Sequence, residues 1–90
     1  MQKEIKIKFT DDVLRGVYAN LMQVTHTKEE FVLDFANVFP PQGIMTSRII
    51  ISPGHLKRIV KALDENMKRY EGKFGPIEEA KGPGEIGFKA

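Results

Sequence analysis

Cysteine and tryptophan are both absent from this 90-residue chain. Without thiols there is no disulfide, no thiolate zinc site, no iron–sulfur cluster and no cysteine nucleophile. Histidine occurs only twice, as His26 and His55, far apart in sequence. No apolar run approaches the ~18 residues that a membrane span requires. Charge is nearly balanced, 14 basic residues against 12 acidic, for a net +2. That balance is too slight to mark a nucleic-acid partner by itself. No glycine-rich phosphate loop and no interleaved basic and aromatic platform is found. No nucleophile elbow surrounds any serine. These absences argue against an enzyme, and no cofactor or metal is expected. A thiol-free chain suits a reducing compartment, so a cytoplasmic location is expected. The opening "MQKEIKIKF" alternates charge with isoleucine, which is not the pattern of a leader peptide.

What is present fits one domain. Residues 1–77 hold almost all the apolar side chains, and residues 78–90, "EEAKGPGEIGFKA", read as a flexible tail. A domain of this size buries only about 60% of its unfolded surface. Chains this short add disulfides, a metal or a partner subunit. With the first excluded and no basis for the second, a homo-oligomer, dimer or tetramer, is the expectation.

Four strands are expected. "KEIKIKFT" alternates Ile5, Ile7 and Phe9 with Glu4, Lys6 and Lys8, the signature of a half-buried strand at an edge. "TDDVLRG" reads as a turn. "VYANLMQVTHT" and "FVLDFANVF" read as the second and third strands, joined by a polar tip at Lys28–Glu30. "PPQG" ends the third, because prolines cannot continue a ladder. "TSRIIIS", rich in β-branched residues, is the fourth.

A helix follows directly. Ser52 suits the N-cap and Pro53 the first helical position. Its end lies either at Gly72 or at Phe74, before "GP". Its apolar residues Leu56, Val60, Leu63, Met67, Tyr70 and Phe74 fall at steps of 4, 3, 4, 3 and 4, a heptad seam of about two and a half repeats. The seam suits packing on the sheet, on a twin helix, or both, and its six residues are the candidate interface. Six basic and three acidic residues lie within 53–74. The basic ones are split between flanks, and Asp64–Lys68 and Glu65–Arg69 have favourable i,i+4 spacing.

The predicted fold class is therefore α+β: a four-stranded antiparallel meander, β-β-β-β-α, with one C-terminal amphipathic helix across one face. Several strands are apolar on both faces, so the other face needs a cover, most simply a second subunit. Asp34 is the one carboxylate inside an apolar strand and needs a partner if buried. Thr25, His26 and Thr27 across the hairpin are its candidates, which makes Asp34 and His26 a candidate buried polar pair. Asn20 and Asn37 are further polar residues within strands.

The segments "Y-A-N-x-x-Q-V-T-H-T", "F-x-L-D-F" and "S-P-x-H-x-K-x-x-x-x-A-L-x-E-N-x-x-x-Y-E-x-x-F-G-P-I" together resemble a small prokaryotic family of domains of unknown function, number three-four-six-seven. The resemblance runs from Tyr18 to Ile77 and implies no catalytic or ligand-binding residue. The β-β-β-β-α order is also similar to that of the export chaperone SecB, in topology alone. That likeness implies an oligomer presenting apolar surface to unfolded chains. The functional expectation is an oligomeric interaction module, chaperone-like in binding another polypeptide. The alternative is a nucleic-acid-associated accessory protein acting through the basic helix.

Overall fold

The computed structural model describes residues 4–83. Its elements in order are α1 (Asp11–Arg15), β1 (Leu21–His26), β2 (Phe31–Phe39), β3 (Gln42–Ile51) and α2 (Pro53–Phe74). The strands form one antiparallel sheet in the order β1-β2-β3. The chain is thus α+β, but with three strands rather than four among the described residues.

The expected first strand is the main correction. Residues 4–10 join no ladder, although they alternate as a strand should. Alternation favours a strand only when a neighbouring strand supplies hydrogen bonds. Here the next segment is a capped helical turn instead of a hairpin turn. The Thr10 side chain accepts from the Val13 N–H, Asp11 and Asp12 sit in the first turn, and Gly16 closes α1 at φ 73°. Arg15 pairs with Asp12 on its surface. With three strands, the likeness to the SecB order does not carry over. The expected tail begins within the described residues, and its portion from 84 onward lies outside them.

The β1–β2 hairpin turns at the polar tip read from the sequence. The Thr27 hydroxyl accepts from the Glu29 and Glu30 backbone N–H groups at 3.2 and 3.3 Å. The Thr27 N–H donates to the Glu30 carbonyl at 2.9 Å. The "PP" dipeptide does not separate two distant strands. Phe39 pairs directly with Gln42, so Pro40 and Pro41, joined by a cis peptide, are the turn itself. Neither proline needs a ladder hydrogen bond there, and β3 starts four residues before the expected "TSRIIIS".

Register shifts once. Phe35 faces Ser47 while Ala36 faces Met45, which leaves Thr46 as the extra residue of a β-bulge. Its hydroxyl donates to the Phe35 carbonyl at 3.1 Å and so anchors the bulge. Nearer the turn, Val38 faces Gly43, where a Cβ would stand 3.0 Å from the valine Cγ2. At the far side Asn20 extends the ladder beyond β1. Its carboxamide donates to the Val38 carbonyl and accepts from the Val38 N–H, both at 2.9 Å.

Helix α2 starts as its sequence demands. The Ser52 hydroxyl accepts from the His55 N–H at 3.1 Å, and Pro53 occupies the first turn. It ends at Phe74, past Gly72, with Gly75 at φ 95° donating its N–H to the Glu71 carbonyl. The helix is not laid across the sheet: none of its residues is buried, and no strand packs along it. The expected helix-on-sheet layer is therefore absent among the described residues.

The core is correspondingly small. Leu33, Ala36 and Ile51 are its buried apolar side chains, with Asp34 beside them. The radius of gyration is 16.3 Å, where a compact chain of this length would have about 12 Å. The chain is an extended scaffold: a sheet, a projecting helix and an N-terminal arm.

Candidate functional site

Strand alternation divides the sheet into two unlike faces. Phe31, Leu33 and Phe35 of β2 share one face with Met22 and Val24 of β1 and Ile49 of β3. That face is apolar. The opposite face carries Val32, Asp34, Ala36 and Val38, flanked by Gln23 and Arg48. Both faces remain partly open, since Val24, Met22, Ile49 and Ile50 are all exposed.

Asp34 is the polar centre of the second face. It is only 8% exposed, and its carboxylate accepts two hydrogen bonds from one guanidinium. Arg48 Nε donates to Oδ1 at 2.7 Å, and its terminal nitrogen donates to Oδ2 at 3.0 Å. This fork geometry is the strongest form of carboxylate–arginine contact. The bonds to Arg48 hold the Asp34 carboxyl below its usual range, against the opposing effect of burial; the arginine's charge adds to the lowering. Arg48 in turn is held above its ordinary value by its bonds to Asp34. The pair borders a shallow open hollow of about 350 Å³, lined also by Met45, Thr46 and Ser47.

The proposed partners across the hairpin are not used. His26 lies on the face opposite Asp34 and stacks on Phe31, ring centroids 5.1 Å apart. Asp34 faces Gln23 on β1 and Arg48 on β3. The bidentate arginine is therefore the correction to the sequence reading, and His26 is no part of a buried polar pair. His55 sits in the first turn of α2 with Nδ1 buried and unbonded, as is the Asn37 side-chain oxygen. Among the described residues, no group of three or more His, Asp or Glu is arranged to hold a metal.

The seam residues of α2 lie along one line, as their spacing requires, and from Val60 onward they are exposed. Val60, Leu63 and Phe74 are 58, 65 and 66% exposed, and Met67 and Tyr70 about half. Leu56, in the first turn, is half-buried. Tyr70 and Phe74 touch each other, ring centroids 5.0 Å apart. On the polar side Lys68 pairs with Asp64 at 3.0 Å. Glu65–Arg69 is not among the ion pairs of the described residues. Lys73 lies over the Phe74 ring at 5.3 Å. The helix thus presents a continuous apolar line, bordered by mixed charge.

What this surface offers chemically is exposed apolar area. No described helix is long and apolar enough to cross a membrane.

No curated protein and no solved structure is significantly similar to the chain. A family model described as "Protein of unknown function (DUF3467)" matches residues 1–79. That match spans every element of the fold, from the N-terminal arm through α2, and the chain belongs to this family.

Proposed function

We propose that the protein is a homo-oligomeric interaction module, built on a dimer, that holds another polypeptide on the apolar surface remaining after assembly. The observation that carries this reading is the seam of α2, six apolar side chains in line, of which the five from Val60 to Phe74 are exposed. The magnitude supports it. The protomer exposes 8816 Å², whereas a compact monomer of this mass exposes about 5,300 Å². A standard interface buries roughly 800 Å² per partner, and obligate dimers bury more. The excess, about 3,500 Å², is larger than one such interface removes from each partner, so assembly through the seam would remove part of it. A patch this apolar on a soluble chain marks an interaction surface.

The chaperone-like part of the reading rests on the sheet. Its apolar face is open at Met22, Val24 and Ile49, beside the half-buried Phe31 and Phe35, and is not needed by the helix seam. Such a face can accept extended apolar segments of little sequence preference. The thiol-free composition suits this work in the cytoplasm.

Light scattering at tens of micromolar tests the assembly, and a reduced, alkylated, permanently unfolded polypeptide tests the binding. An oligomer that retains the unfolded chain is expected. A stable monomer would remove the first half of the proposal, and an oligomer indifferent to unfolded chains the second.

A further inference from the structure

We infer that α2 pairs with α2 of a second copy in antiparallel orientation, about a two-fold axis that crosses the seam between Leu63 and Met67, at the level of residue 65. The inference rests on the oligomeric reading above and specifies its geometry.

The seam residues are disposed symmetrically about position 65. An antiparallel alignment there sets Leu56 against Phe74, Val60 against Tyr70 and Leu63 against Met67 of the second copy. The two outer layers then combine a smaller side chain with a larger one, the central layer pairs leucine with methionine of nearly equal size, and the layers have similar total volume. Interdigitation of unlike sizes is how close-packed interiors are filled. A parallel pair would stack Phe74 on Phe74 and Tyr70 on Tyr70 at one end. It would leave valine and leucine at the other, so that the helices would splay.

Charge points the same way. In heptad terms Lys57, Asp64 and Glu71 border one side of the seam, and Ile59, Asn66 and Lys73 the other. Antiparallel helices bring like borders together. Lys57 then meets Glu71 of the second copy, twice per dimer. On the other border the Lys73 stem covers Ile59. Glu71 keeps a free oxygen for this, because only its Oε2 accepts from the Ile77 N–H, at 2.9 Å. The two Asp64 carboxylates approach near the axis, each already held by its own Lys68 at 3.0 Å. The parallel alternative would place Asp64 beside Ile59 and Glu71 beside Asn66, with no ion pair. Antiparallel helices also oppose their dipoles.

The absence of cysteine makes the test clean. Mixed L63C and M67C proteins, oxidised together, should form the mixed disulfide at least about tenfold faster than either alone. A charge exchange provides the second arm. K57E or E71K alone should each raise the dimer dissociation constant about tenfold, from two like-charge contacts. Mixing the two variants should restore wild-type affinity as a heterodimer, because both contacts become attractive again. Within one chain these residues are 14 positions, about 21 Å, apart, so only contact between copies can couple them. Circular dichroism of each variant establishes that it is folded.

Predominant L63C–L63C disulfide would show a parallel pair and overturn the inference while leaving the dimer intact. An oligomer with neither cross-linking nor charge rescue would show that the seam covers a sheet face or another polypeptide, which also overturns it. A wild-type monomer would remove the oligomeric reading itself.

Discussion

Asp34 of β2 and Arg48 of β3 stand directly opposite each other, and their side chains close a two-point ion pair at 2.7 and 3.0 Å. The carboxylate is nearly inaccessible, while the guanidinium remains largely exposed. A largely exposed cation therefore caps an anion sunk in the sheet. The arrangement depends on the bulge at Thr46, two residues from Arg48, which resets the register between β2 and β3.

This pair makes stability pH-dependent on the acid side. Asp34 has a lowered carboxyl value when folded and regains one near 3.8 when unfolded. The unfolded chain therefore takes up its proton first as pH falls. The contribution is complete above about pH 4 and is lost as pH drops through the lowered folded value. Melting temperature measured from pH 7 to 2 should show wild type above Asp34→Asn at neutral pH, with the gap closing in acid. Arg48→Gln should cost more than Asp34→Asn at pH 7, because it leaves a buried carboxylate unpaired. The double variant should recover part of that loss. A gap independent of pH would show that the aspartate is not ionised in the fold.

Asn20 lies outside β1, yet it satisfies both backbone groups of Val38. Asn20→Ala should reduce unfolding free energy by about 2 kcal/mol, for two hydrogen bonds at roughly 1 kcal/mol each. Asn20→Asp should be worse at neutral pH, since a carboxylate would face the Val38 carbonyl. Chemical denaturation distinguishes these outcomes, and hydrogen exchange at Val38 locates them.

How much of this was legible in the sequence depends on whether a feature is local. Ser52, Pro53 and the seam of α2 act within a few residues of one another, so the helix and its apolar line were readable. Alternation in "FVLDFANVF" likewise located β2 and its two faces. The arm at 4–10 shows the limit, because a strand pattern exists without a ladder to join. The start of β3 is hidden because the pattern of Pro40–Pro41 reads as a break in the sheet, whereas in the fold the pair turns it. The partner of Asp34 depended on a register shift that no periodicity reveals. Helix α1 did leave a signal in Thr10, Asp11, Asp12 and Gly16, but five residues are too few for an apolar period. Nor does a stripe of apolar residues say what covers it, so packing on the sheet and on a twin helix looked alike.

Met67 is the most economical probe of assembly. It is 47% exposed in the protomer and no strand packs along its helix, so Met67→Glu removes little from the isolated chain. In the proposed dimer it would bury two carboxylates at the seam, and the dissociation constant should rise at least about a hundredfold. Arg58→Glu, on the opposite side of α2, should leave assembly unchanged. Sedimentation velocity reads the mass, and circular dichroism reads the helix. Loss of helix together with mass would mean that the protomer is not stable without its partner, whereas an unchanged mass would move the interface elsewhere.

The basic residues of α2 offer the sharpest contrast between protein contact and nucleic-acid contact. Arg58, Lys61 and Arg69 lie away from the seam, so replacing all three with glutamine should not change the oligomer. If the helix bound a duplex through them, affinity would fall with salt by roughly 0.9 log units per log unit for each neutralised phosphate. The triple variant would then lose most of that slope. The expected result is different: no binding of duplex or single strands below about micromolar at physiological salt, and no difference between wild type and variant. The reason lies in the arrangement of the helix. Its apolar line is continuous over five turns, whereas its cations are dispersed around the remaining surface and one of them, Lys68, is already bonded to Asp64. Tight, steeply salt-dependent binding that the triple substitution abolishes would make α2 a nucleic-acid surface. Its seam would then serve only to hold that surface in place.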